Sequence, residues 1–336
     1  MKEALAAQPA PHVVRTLSKT YLAQARAACA RLEDPSDEEA LHDFRVALRR
    51  LRSLLRAHKG YARRWLSKKL IRRIKDLASD TGAARDTEVQ LAWLRQRKDR
   101  IKPHQRPGFV WMTQRLERRL EEEYADLREE LPRAFRRLDK RLQARLETDT
   151  GDEAPVFGEV TALRLEEAAE AFREHLARIH GEAAEKEVHR ARITGKRLRY
   201  LLEPVADELE GGRDLVKELK ELQNLMGEIH DLQVFAEELG QASEEAGAER
   251  MRRLIELTLN LGPEDPAVET ARRQDERAGL MSLAREVRDR DEHLMSRLAA
   301  KWDDGDVDRF LEQLERIRES LLISASPVSG GTGTPS

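Results

Sequence analysis

"LHDFRVALRRLRSLLR", residues 41–56, holds five arginines and one histidine, and Asp43 is its only acid. No Gly or Pro interrupts it, and Leu, Ala and Arg favour helix. At about 100° per residue, with His42 at 0°, the side chains of His42, Arg45, Arg49, Arg52 and Arg56 fall in an arc of about 80°. Leu41, Phe44, Leu48, Leu51 and Leu55 take the neighbouring sector, about 180–260°. An ordinary solvated face lies opposite the buried one and mixes signs. This stripe borders the apolar sector and carries a single sign, so it is expected to line a groove or a channel between helices. Arg50, near 80°, stands off the main stripe.

Arg45 to Arg56 covers about 16 Å of helix. Guanidinium groups held that close repel unless an anion offsets them. An extended polyanion is the natural counter-charge, and the planar arginine fork donates two hydrogen bonds to phosphate oxygens at once.

The rest of the chain is opposite in sign. Of 336 residues, 61 are Lys or Arg and 63 are Asp or Glu, for a net charge of −2. Residues 41–75 hold thirteen Lys/Arg against one Asp, so the remainder is acidic. A basic site in an acidic body focuses field on an anion. Cys29 is the sole cysteine, which excludes an internal disulfide and a cysteine metal cluster and fits a reducing compartment. No apolar run reaches the length of a membrane span. The first residues lack the build of a secretory leader, and a cytoplasmic location is expected.

Helical periodicity runs from about Val13 to Leu322, with no convincing strand. Ser36 or Asp37 is the expected N-cap of the arginine helix and Gly60 its end. Pro132 should kink or split a long helix. Helices are expected around 156–181, 186–203, 214–228 and 231–246, with breaks near 210–213, 262–266 and 303–306. The polar tail, 323–336, is expected to be disordered. "TDTGDEAP" (148–155) is the expected linker.

The arginine helix has an echo. "VHRARITGKRLRYLL" (188–202) repeats 41–55 at a shift of 147 residues, matching His42 with His189, Arg45 with Arg192, Arg49 with Lys196, Arg50 with Arg197 and Arg52 with Arg199. At a shift of 145, "RRIKDLASDTGAARDTEV" (72–89) resembles "KELKELQNLMGEIHDLQV" (217–234), placing Lys217 and Lys220 where Arg72 and Lys75 stand. Two motifs in the same order at nearly equal spacing mark two related helical halves, 1–150 and 151–322. A duplicated stripe beside the same apolar positions favours a binding role over a solvated face. Asp86 and its counterpart Asp231 suit orienting arginines or capping a helix.

These residues, each stripe followed by a Gly-x-x-basic-Asp segment ("GAARD", "GEIHD"), resemble the CHAD domain, the conserved-histidine α-helical domain. The resemblance covers about residues 10–322. It implies an all-α fold of two four-helix-bundle-like halves with pseudo-two-fold symmetry around a basic central groove or pore. It implies binding of inorganic polyphosphate and association with polyphosphate granules; no cofactor is expected. The implied contacts in the first half are His42, Arg45, Arg49, Arg50, Arg52, Arg56, Arg72 and Lys75. In the second half they are His189, Arg192, Lys196, Arg197, Arg199, Lys217 and Lys220. Two departures stand out: Gly195 replaces Leu48, weakening helix propensity, and His230 replaces Arg85.

The leading expectation is therefore a non-catalytic polyphosphate binder. A phosphohydrolase is the second class, but no GxxxxGK[ST] loop is present and the stripes lack clustered carboxylates for a metal. Nucleic-acid-backbone binding is the third. A stripe bordering the core makes a narrow site suited to a thin chain, and aromatics at 4% offer little base stacking.

Overall fold

The computed structural model describes residues 4–34, 37, 39–147, 154–179, 184–301 and 304–325. Among them the chain is helical without strands. The one β-type contact is an isolated bridge between Pro9 and Val156. Twelve α-helices follow in order: α1 (Ala10–Arg31), α2 (Ala40–Ala57), α3 (Lys59–Trp65), α4 (Lys68–Asp80), α5 (Gly82–Arg95), α6 (Arg106–Leu146), α7 (Phe157–Leu176), α8 (Ala184–Leu202), α9 (Gly212–Leu261), α10 (Pro266–Arg273), α11 (Arg277–Lys301) and α12 (Asp304–Ala325).

Several boundaries differ from expectation for local reasons. α2 stops at Ala57 with His58 as its C-cap, and Gly60 lies inside the short α3 that follows. Ser36 is outside the described residues. The N-cap position of α2 is Glu39, and the Asp37 carboxylate accepts from the Glu39 backbone N–H at 3.2 Å as well as from Arg31 at 2.7 Å, so Asp37 serves the helix start from two residues upstream. Pro132 sits inside α6 without splitting it, and the helix runs 41 residues. The expected pair 214–228 and 231–246 is one helix, α9, of 50 residues. Its small and polar residues, Gly227 included, do not break it. α12 extends to Ala325, so 323–325 are helical. The rest of the expected tail and most of the expected linker lie outside the described residues.

The residues form two compact units. The first comprises 1–81, 128–226 and 299–336, the second 82–127 and 227–298. The expected division at the middle of the chain follows the repeat, whereas each compact unit is built from segments of both sequence halves. The reason is visible in the first unit, where helices from both sequence halves share one core. α2 packs on α1 and α4 and also touches α8, while α7 packs on α8, α12 and α1. Phe44 of α2 meets Phe135 of α6 edge-on at 5.2 Å, and Phe172 of α7 meets Phe310 of α12 at 5.9 Å. In the second unit, Trp93 of α5 meets Phe235 of α9 edge-on at 5.1 Å. There α6 and α11 approach through Gly108 and Gly279. A Cβ on Gly108 would fall 2.0 Å from the Glu276 carbonyl oxygen, so only glycine fits.

Candidate functional site

The apolar face of α2 is fully engaged. Leu41, Phe44 and Leu48 are 0% exposed, and Leu51 and Leu55 are 2% exposed. Burying about five such side chains contributes on the order of 10 kcal/mol before entropy is charged against it. That burial orients the helix and so aims its basic stripe.

α8 is oriented in the same way, with Val188, Ala191, Leu198 and Leu202 buried. Gly195 has a packing reason that outweighs its propensity cost. A Cβ there would stand 3.2 Å from the Phe172 ring, and its carbonyl accepts a 2.8 Å hydrogen bond from Gln223 Nε2.

Within this first unit, α2 and α8 together line a cavity of about 510 Å³. α2 brings Arg49, Arg52 and Arg56, and α8 brings Arg192, Lys196 and Arg197. Lys59 and Arg164 complete eight cations, against one carboxylate, Glu167. Glu167 is already paired with Arg164 at 2.7 Å. Arg52, Arg56 and Arg197 have no carboxylate at ion-pair distance among the described residues. Arg52 is held less strongly protonated than an ordinary arginine, first by burial, then by Arg56 and Arg49. Burial and then Arg56 act on Arg197 in the same direction. This wall stores like-charge repulsion that a bound anion would relieve.

Other expected residues are placed differently. Arg49 donates through Nε to the Tyr200 hydroxyl at 2.6 Å, linking α2 to α8 at the cavity wall. Arg50 and Arg199 converge on Glu203, at 3.1 and 3.2 Å. Arg199 also donates to the Tyr200 hydroxyl at 3.0 Å. Arg50 and Arg199 thus share one carboxylate as fasteners, although the repeat aligns Arg199 with the cavity residue Arg52. Arg45 donates to Thr81 Oγ1 at 2.9 Å, at the end of α4, and does not line this cavity. His42, Arg72, Lys75, His189, Lys217 and Lys220 lie outside its lining too. All of these except half-buried His42 are exposed. His189 is held below the ordinary histidine value, by partial burial first and then by Arg192 and Lys196. Asp86, Asp231 and His230 belong to the second unit.

His58, Lys59, Arg164 and Tyr200 are among the lining residues not singled out from the sequence. His58, 2% exposed, stacks on Phe157 at 5.1 Å. Burial, with Arg164 beside it, pushes its pKa down to about 4. Arg164 lies on α7, outside both repeated motifs, and nothing in its local sequence marks it. Glu203 did have a signal. At the 147-residue shift it stands where the first half has Arg56, so the second stripe ends in an acid.

No curated protein sequence matches the chain. It is similar to a solved structure, the CHAD domain from the plant Ricinus communis, at 22% identity and a TM-score of 0.56. That match covers 93% of this chain and 94% of the other. It shows a shared fold. The family model of the CHAD domain matches residues 14–240, which contain both basic helices and every residue lining the cavity. The chain therefore belongs to the CHAD domain family.

Proposed function

We propose that this protein binds inorganic polyphosphate without hydrolysing it, through the cations that α2 and α8 bring together. The observation that carries this reading is the cavity with eight cations and one already paired carboxylate. Arg52, Arg56 and Arg197 supply forks for phosphate oxygens. Arg49 and Lys196 flank them, and the exposed His189, Arg72, Lys75, Lys217 and Lys220 extend positive charge for the rest of a long chain. Two related halves with pseudo-two-fold symmetry around a basic groove would present such a chain with repeated contacts. Association with polyphosphate granules in the cytoplasm follows as part of the same proposal.

Non-catalytic binding is favoured because metal-assisted phosphoryl transfer uses clustered carboxylates, and the cavity offers only Glu167. The test has two arms. A competition among long-chain polyphosphate, short oligophosphates, single-stranded DNA and duplex DNA should rank long-chain polyphosphate first. Incubation of polyphosphate with the protein and magnesium or manganese should release no phosphate. Preference for DNA would favour a nucleic-acid role. Turnover abolished by a carboxylate substitution would make the protein a phosphohydrolase.

A further inference from the structure

In the second unit, the last third of α9 exposes a row of apolar side chains. Met251 is 59% exposed, Ile255 50% and Leu259 80%, and Leu259 is the most exposed large apolar residue among those described. Their spacing of four places them on one ridge, at about −40°, 0° and +40° around the helix. Beside the Met251 end lies a cavity of about 810 Å³ with an apolar wall of Leu239, Leu254, Leu280 and Met281 and a charged edge that includes Arg250 and Asp275. A row this exposed costs free energy in water and is usually covered.

The geometry points to a second copy of this chain as the cover, packed antiparallel through the same ridge with Ile255 at the two-fold axis. The row reads the same under that operation. Met251 of each protomer meets Leu259 of its partner, and this brings the protruding leucine to the side of the cavity that Met251 lines. Rows spaced i, i+4, i+8 interdigitate when helices cross at about 50°. An isologous contact also brings the same flank of each helix together. That flank carries Arg252 and Glu256, at about 60° and 100° from Ile255. In this register Arg252 of one protomer and Glu256 of its partner are offset by about 3 Å along the axis, within reach of both side chains. The interface is thus complementary to itself in apolar shape and in charge. Both residues are exposed, and neither is in an ion pair among the described residues. The contact is small, so the dimer should be weak and concentration-dependent.

The test is the mass of the full chain in solution, by light scattering or sedimentation, from about 1 to about 100 μM, a range suited to weak contacts. The wild type should shift from monomer to dimer across it. Ile255→Glu should remain monomeric. Arg252→Glu should weaken association by about tenfold, as like charges then face one another, and adding Glu256→Arg should restore it. A wild type monomeric throughout overturns the proposal, as does an Ile255→Glu chain that still dimerises or a charge exchange that restores nothing. Helicity and polyphosphate binding of each variant are read in parallel. Because the ridge lies outside the cavity of the first unit, loss of dimerisation with retained binding separates this proposal from the functional one.

Discussion

Arg115 on α6 and Arg52 on α2 each stand next to buried leucines, Leu116 and Leu51, and their surroundings are opposite. Arg115, in the second unit, pairs with Glu238 and Glu245, and Arg119 shares Glu238 while also holding Glu123. Donating to these carboxylates holds Arg115 more firmly protonated than usual, and does the same for Arg119 against the opposing pull of burial. Arg52, in the first unit, is flanked by Arg49 and Arg56 and is shifted the other way. The same residue type serves as mortar where acids meet it and is left as concentrated positive charge where they are withheld. What distinguishes the two is the neighbours' sign.

The largest effect expected from this contrast is on stability. Arg115→Ala should cost roughly 2–4 kcal/mol, because it strands the nearly buried Glu238 with one partner fewer. Polyphosphate affinity should hold within about twofold, since no cavity contact is lost. Urea unfolding together with a binding titration reads both. A large loss of affinity at unchanged stability would erase the distinction between the regions.

Acid should act next, through the cavity floor. His58 has a folded-state pKa of about 4, below the unfolded value of about 6.5. Between those values the unfolded chain binds the proton and the folded one does not. Its contribution to stability is therefore complete above about pH 6.5 and is lost as pH falls towards 4, on the order of 3 kcal/mol in all. Urea midpoints against pH should show this slope, and His58→Gln should remove it. An unchanged slope would mean that other groups cause it.

Removing cations from the cavity should do the reverse of Arg115→Ala. Arg52→Ala with Arg56→Ala should lower polyphosphate affinity by roughly 10–100-fold, two charge-assisted contacts being lost. The melting temperature should stay level or rise, as repulsion is relieved. The salt dependence of binding should flatten by roughly one to two units, because fewer ions are released. Arg273→Ala with Arg288→Ala is the matched control, both arginines being well exposed and, among the described residues, paired only along their own helices. Equal loss in the control would reduce binding to diffuse attraction.

The smallest effect concerns His189, beside Arg192 and Lys196. Its free-state pKa is depressed, and a bound polyanion would raise it. Affinity should then increase as pH falls through and below about 6.5, by a few-fold, and His189→Gln should abolish the increment. A pH-independent affinity would place His189 outside the site.

Much of this was legible in sequence. Periodicity identified the helices, because apolar spacing at 3.6 residues is a local property. The buried face of α2 was assigned residue by residue, and the shift of 147 exposed the second basic helix. Helix interruptions were less legible. Gly227 and Pro132 are locally unfavourable, yet α9 and α6 continue through them because packing along both helices outweighs propensity. Among the basic residues, local spacing could not separate Arg52 from Arg199. That assignment depends on Glu203, one turn beyond the stripe, and on Tyr200, which binds Arg49 across from the other repeat.

The sequence by itself determined the all-helical class, the duplication, the family and a short set of cations beside a core face. These follow from composition, period and order along the chain, none of which requires knowing what lies across a gap. Only the tertiary structure decided which cations meet, since Arg164 and Lys59 join Arg52, Arg56 and Arg197 from elements outside the repeated motifs. It also decided which have carboxylate partners, as Arg50, Arg199 and Arg115 do. Charge pairing depends on distances of a few ångströms between residues tens to hundreds of positions apart, and that distance is set by packing.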